Sequence, residues 1–279
     1  MTFPIFIAVL AAALLHASWN ACIKTGANKQ ATMMILTVWQ GVIGFCVILW
    51  RPFPGAEVWP WLIASGVVHM FYQLFLAYAY EQGDLSRVYP LARGAAPLMV
   101  VIAGFWLLPD VVAPVEYVGV AVLGLGILCM AFGALTSGEN AALVPFALGS
   151  AVATASYTVI DGLGARVSGD PVGYVGWLLL MAALFYIPAV LLLRGRAVLI
   201  APRRDWALGA FTGSASLAAY GIVIWAMTFA PIAVVAALRE TSILFAVLIG
   251  WLFFGDKMNA TKACAALLII SGVVLTRLA

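Results

Sequence analysis

Arginine occurs twice inside long apolar stretches of this 279-residue chain, as Arg93 and Arg239, and the second follows the first by 146 residues. A planar, permanently charged guanidinium suits bidentate capture of a carboxylate or phosphonate. Buried in hydrocarbon without a partner it is among the costliest of side chains, so a pair at matching positions points to a shared aqueous interior. Snorkelling to a headgroup, or an ion pair with Glu240, Glu81 or Asp161, is the other use such residues find.

Further polar groups recur at helical spacing in the apolar stretches. His16, Asn20 and Lys24 fall at i, i+4 and i+8 beside Trp19; His69, Gln73, Leu76 and Tyr80 repeat the device. Thr154, Tyr157 and Asp161 form a third stripe, Ser216 and Tyr220 a fourth with Trp225 on a neighbouring face, and Tyr89 stands one turn before Arg93. Stripes of this kind do not face lipid and can converge on one lumen. Asn20 and Gln73 would hydrogen-bond a solute there. Asp161, Glu240 or His16 would carry coupling protons or form ion pairs, although a neutral histidine bonded to a neighbouring helix is an equally common use. Trp19, Tyr80, Tyr89, Tyr157 and Trp225 would shape a pocket, and together with Tyr78 they would form an aromatic cage, which favours quaternary amines. Trp50, Trp59, Trp61 and Trp206, near segment ends, fit the interfacial belt instead.

The elements that must hold these residues follow from composition. With 65% hydrophobic and 9% charged residues and a mean hydropathy of +1.11, the chain has too little polar surface to coat a water-soluble globule. Ten apolar stretches are long enough to cross a bilayer as helix. They run from Phe3 to Ile23, Ala31 to Trp50, Val58 to Tyr80, Val88 to Leu108, Tyr117 to Leu135, Leu143 to Gly164, Val172 to Leu193, Trp206 to Phe229, Ile232 to Phe254 and Lys262 to Leu278. Asp161 to Gly164 reads as a helix end. The first stretch has no preceding Lys or Arg and no small-residue cleavage site, so it reads as a retained helix. Pro90 and Pro97 fall within the fourth stretch and Pro231 opens the ninth, each a place for a bend or a freed carbonyl.

Internal repetition accompanies this count. At an offset of 146, Gly104, Asp110 and Gly126 fall on Gly250, Asp256 and Gly272; at 138, the run Ala17 to Trp19 falls on Ala155 to Tyr157. Five helices per half would enter the membrane in opposite senses. The expected fold is an all-α membrane protein of ten transmembrane helices in two inverted-topology repeats, residues 1–137 and 141–279.

The runs His16 to Lys24, Tyr78 to Gly94, and Pro231 through Arg239 and Glu240 to Lys257 resemble EamA-type members of the drug/metabolite transporter superfamily. The resemblance covers essentially the whole chain, though Asp256 with Lys257 stands where the family has a Gly-Glu-Arg-like end. It implies a bacterial inner-membrane carrier of small metabolites, often an amino-acid exporter, with a pocket between the halves. The solute's identity does not carry over.

Other classes fit poorly. The net charge of +3 is scattered, without the basic stripe that tracks nucleic acid. No nucleophile elbow, His-Glu-x-x-His motif or P-loop points to an intramembrane enzyme, and buried charges would obstruct a channel. The four singly placed cysteines read as packing residues, not as metal ligands, and no cofactor or metal is expected. The partners expected are the bilayer and a small metabolite, with a homodimer left open. Lysine and arginine counts would put both termini outside the cell, whereas the resemblance implies that they are cytoplasmic.

Overall fold

The computed structural model describes residues 1–24, 29–82, 96–135, 142–254 and 260–278. All regular structure among them is helical: α1 Phe3–Lys24, α2 Lys29–Ile48, α3 Trp59–Gln82, α4 Ala96–Leu107, α5 Pro114–Leu135, α6 Leu143–Ser168, α7 Pro171–Arg194, a 3-10 turn Arg196–Leu199, α8 Arg203–Met227, α9 Ile232–Arg239, α10 Ser242–Phe254 and α11 Ala260–Leu278. Seven of the described segments are long and apolar enough to cross a membrane, from Gln30–Ile48 to Ala260–Leu278. In hydrocarbon a helix satisfies its own backbone, which is why so apolar a sequence takes this form throughout.

Two expectations about these segments need correction. Asp161 to Gly164 does not end a helix: α6 runs on to Ser168 and stops at Gly169, whose φ of 65° only glycine adopts easily. Gly162 and Gly164 instead let Ile232 and Tyr174 press against the helix. The ninth stretch is not one helix either. It breaks after Arg239, where Glu240 N–H and Thr241 N–H donate to Ala237 and Leu238, three residues back, at 3.1 Å each. Thr241 Oγ1 also donates to the Leu238 carbonyl, at 2.7 Å. Pro97 is the second described residue of α4; Pro90 lies outside the described residues. Cys46 and Cys264 face outward, so they are not packing residues of the interior.

Consecutive spans run antiparallel, giving the bundle two faces. One carries the chain termini, with Arg277 lying over the Phe3 ring. On this terminal face the Arg51 guanidinium grips Asp170 with both Nε and Nη2, and Asp170 caps α7 through Gly173 N–H at 3.1 Å. On the opposite face Arg194 pairs with Glu81 at 2.7 Å and lies over Tyr78.

The largest contacts are paired. α5 lies on α11 and α2 on α7, while α3 on α6 is matched by α1 on α8, and α4 on α6 by α1 on α10. Exchanging the helices before residue 136 with those after it relates these contacts to one another. The α5–α11 contact shows the same rule at residue level. A Cβ on Gly126 would strike Ala265 and Ile269, and one on Gly272 would strike Gly119 and Leu123, the same neighbours displaced by 146. Gly119, Gly126 and Gly272 are therefore where these helices meet, whereas Gly124, which spacing groups with them as a small-residue contact, faces Leu98 on α4 instead. α9 occupies the centre, with all eight of its residues buried.

Candidate functional site

The interior polar residues gather on the inner face of α6. Thr154, Tyr157, Thr158 and Asp161 are all buried there, the stripe expected from their spacing. Thr154 and Thr158 return their hydroxyls to carbonyls one turn back, which satisfies them locally. The Asp161 carboxylate accepts rather than donates, so a carbonyl one turn back cannot satisfy it. It is fully buried and must be held by other helices.

Those helices are α3, α7 and α8. Tyr220 on α8 donates to Asp161 Oδ2 at 2.5 Å, and Tyr174 on α7 donates to Oδ1 at 3.4 Å. His69 on α3 places Nε2 3.8 Å from Oδ2. Its other nitrogen, Nδ1, lies 3.0 Å from the Ser65 carbonyl oxygen. Ser65 Oγ lies 3.2 Å from the same Nδ1, so Ser65 meets this nitrogen with both a hydroxyl and a carbonyl, and Nε2 is the ring atom turned to the carboxylate side. A histidine and a carboxylate this close can share a proton. The His69 ring stacks on Tyr157 with centroids 4.1 Å apart, and Tyr72 and Tyr220 meet these rings edge-on.

Arg239 enters the same interior from α9. It is 5% exposed; Nε and Nη2 reach Glu240 Oε1 at 3.1 and 3.0 Å, and Nη2 approaches Thr158 Oγ1 at 3.4 Å. The guanidinium carbon lies 5.9 Å from the Tyr157 ring centre. Glu240 is therefore its carboxylate partner, as the sequence alternative had it. Asp161, Arg239 and Tyr220 each stand seven residues from the terminal-face end of their helices, about 10 Å deep at the helical rise.

The remaining expected residues are distributed more widely. Gln73 accepts from Thr37 on α2 at 3.2 Å, and Gln40 donates to Ser216 at 3.0 Å, nearer the middle of the bundle. His16 meets Trp19 edge-on at 4.9 Å, and the buried Trp19 Nε1 finds no acceptor among the described residues. Trp225 lies elsewhere: it lines an apolar groove of about 330 Å³ with Val47, Val175, Gly176, Leu217 and Gly221. The side chains of Asn20 and Tyr80 are outside those described, and Tyr89 and Arg93 lie outside the described residues.

Sequence reasoning undervalued His69 and passed over Ser65 and Tyr174. His69 was legible as the start of its stripe, and Tyr220 as part of another. Tyr174 carries no polar periodicity, and only the approach of α7 to Gly164 brings it to Asp161.

A helical membrane bundle with acid, base and guanidinium enclosed at its centre has the build of a carrier. The family comparison agrees. The EamA-like transporter family model matches residues 3–132 and again 142–278, so the chain belongs to that family, whose members are membrane transporters. A solved crystal structure superposes with a TM-score of 0.76 over 99% of this chain and 98% of its own, at 20% identity, which makes it similar in fold. No curated protein matches the chain.

Proposed function

We propose that this protein is a proton-coupled secondary transporter of a small zwitterionic or anionic metabolite, an amino acid or a related compound. It works by alternating access between two inverted five-span halves, ten spans in all, and exports its solute across a bacterial inner membrane. The observation that carries this is the His69 and Asp161 pair, a titratable ring and a carboxylate 3.8 Å apart in the buried interior. Such a group takes and yields one proton when its surroundings change. Arg239 beside it offers a cation, and Asp161 and Glu240 offer anions, so a zwitterion brings a match for each charge. Arg93, the repeat-related guanidinium, would serve the same solute from the other half.

The aromatic rings favour a second reading. His69, Tyr72, Tyr157 and Tyr220 form one cluster of rings, two of them against the Asp161 carboxylate, an arrangement that also suits an amine or quaternary-amine cation.

Proteoliposomes holding the purified protein decide between these. Under an imposed pH gradient a labelled amino-acid mixture should accumulate, saturate and show counterflow. Accumulation of quaternary amines alone would select the second reading, and no gradient-driven movement of either class would refute both.

A further inference from the structure

Arg166, at the end of α6, uses its whole guanidinium. Nη1 meets Asp110 Oδ1 at 2.7 Å, Nε donates to the Met227 carbonyl at 2.8 Å and Nη2 to the Ala230 carbonyl at 3.0 Å. Asp110 in turn accepts Ile232 N–H at 2.8 Å through its second oxygen. One ion pair thus closes off the C-terminus of α8, the N-terminus of α9 and the segment after α4. Unsatisfied helix ends of this kind want a cation at the carbonyls and an anion at the N–H groups, which is how the two charges are disposed.

The position of this pin gives it a consequence. Met227 lies seven residues from Tyr220, and Ile232 seven from Arg239, so both are on the same helix faces as the buried groups, two turns nearer the terminal face. Asp110 belongs to the first half of the chain; every other member belongs to the second. Opening the interior toward the terminal face separates these elements; of the two described ion pairs that join the halves on this face, Arg51 with Asp170 sits by the α2–α7 contact, and Arg166 with Asp110 is the one that must break.

We propose that Arg166 and Asp110 form the latch that holds the terminal face closed above Asp161. The proposal rests on the alternating-access reading given above. With the latch made, α8 and α9 are tied to the segment after α4 and solvent reaches the Asp161 group only from the opposite face. With it broken, the α8–α9 turn is released and the terminal face opens.

The test is accessibility of a buried reporter. Thr158→Cys, made in a chain with Cys22, Cys46, Cys129 and Cys264 replaced by alanine, is reconstituted and exposed to an impermeant thiol reagent at the terminal face. Asp110→Asn should raise the labelling rate at least tenfold, with little gain when the reagent is applied at the opposite face. Arg166→Lys keeps the charge but loses the three-way fork, and is read in the same way should Asp110→Asn not yield folded protein. An unchanged rate, or an equal rise from both faces, overturns the latch. Labelling needs neither solute nor proton gradient, so its failure leaves the transport reading standing. Failure of the parent protein to move any solute would sink that reading and leave the latch result intact.

Discussion

His69 Nε2 and Asp161 Oδ2 lie 3.8 Å apart, while the ring's other nitrogen, Nδ1, is 3.0 Å from the Ser65 carbonyl and 3.2 Å from the Ser65 hydroxyl. In the proton-coupled reading proposed above, a solute cation or a change in access moves the proton of this pair, and the two tyrosines on Asp161 tie it to α7 and α8.

Asp161→Asn keeps an acceptor for Tyr220 while removing the acid. Proton-driven accumulation should fall to the level of protein-free liposomes, whereas counterflow of the same solute, which needs no net proton movement, should persist. Loss of both in a folded variant would make Asp161 part of solute binding alone.

Glu240→Ala takes the carboxylate from a guanidinium that is 5% exposed. Removing one member of a buried ion pair costs about 3–5 kcal/mol, so the variant should unfold at markedly lower temperature or denaturant in detergent. Glu240→Gln, which keeps an oxygen for Arg239, should lose less. Equal stability of all three proteins would show that the guanidinium is held by other contacts.

Gly272→Leu forces a side chain between backbones, because a Cβ there lies 2.5 Å from Leu123 N and 2.6 Å from Gly119 O. Overpacking of this sort costs about 1–3 kcal/mol. Gly221→Leu is the control, since nothing lies within 4 Å of its Cβ. Thermal unfolding should separate the two, and equal melting would argue against close backbone contact between α5 and α11.

Partial burial raises the proton affinity of Asp170, but the Arg51 hydrogen bond and charge and the Gly173 N–H outweigh it and hold its pKa below the usual value. A depressed folded-state pKa means stability that is present above the unfolded value, near 3.9, and lost as pH falls through the folded one. Acidifying the protein below about pH 4 should therefore lower its melting temperature more than that of Asp170→Asn. Parallel curves would remove this ion pair from the acid response.

The helices and their order were legible because a bilayer leaves few choices: an apolar run of about 20 residues must be helix, and its ends are marked by proline, glycine and charge. The α6 stripe was equally legible, since Thr154, Tyr157 and Asp161 share a face in any helix. What spacing does not encode is which stripes meet. Gln73 and His69 belong to one stripe on α3, yet Gln73 turns to Thr37 and His69 to Asp161. The break after Arg239 was hidden as well, because Glu240, Thr241 and Ser242 include neither proline nor glycine and sit in an otherwise uniform apolar run.

Glycine brings backbones together at two separate places, Gly119, Gly126 and Gly272 where α5 crosses α11, and Gly41, Gly44 and Gly176 where α2 crosses α7. Each crossing joins one half of the chain to the other, and neither has room to slide. Two fixed points leave a rigid body a single freedom, rotation about the line through them. In the alternating-access reading proposed above, the halves rock like the leaves of a hinge whose pins are these crossings, with α1, α3, α6 and α8 swinging between them.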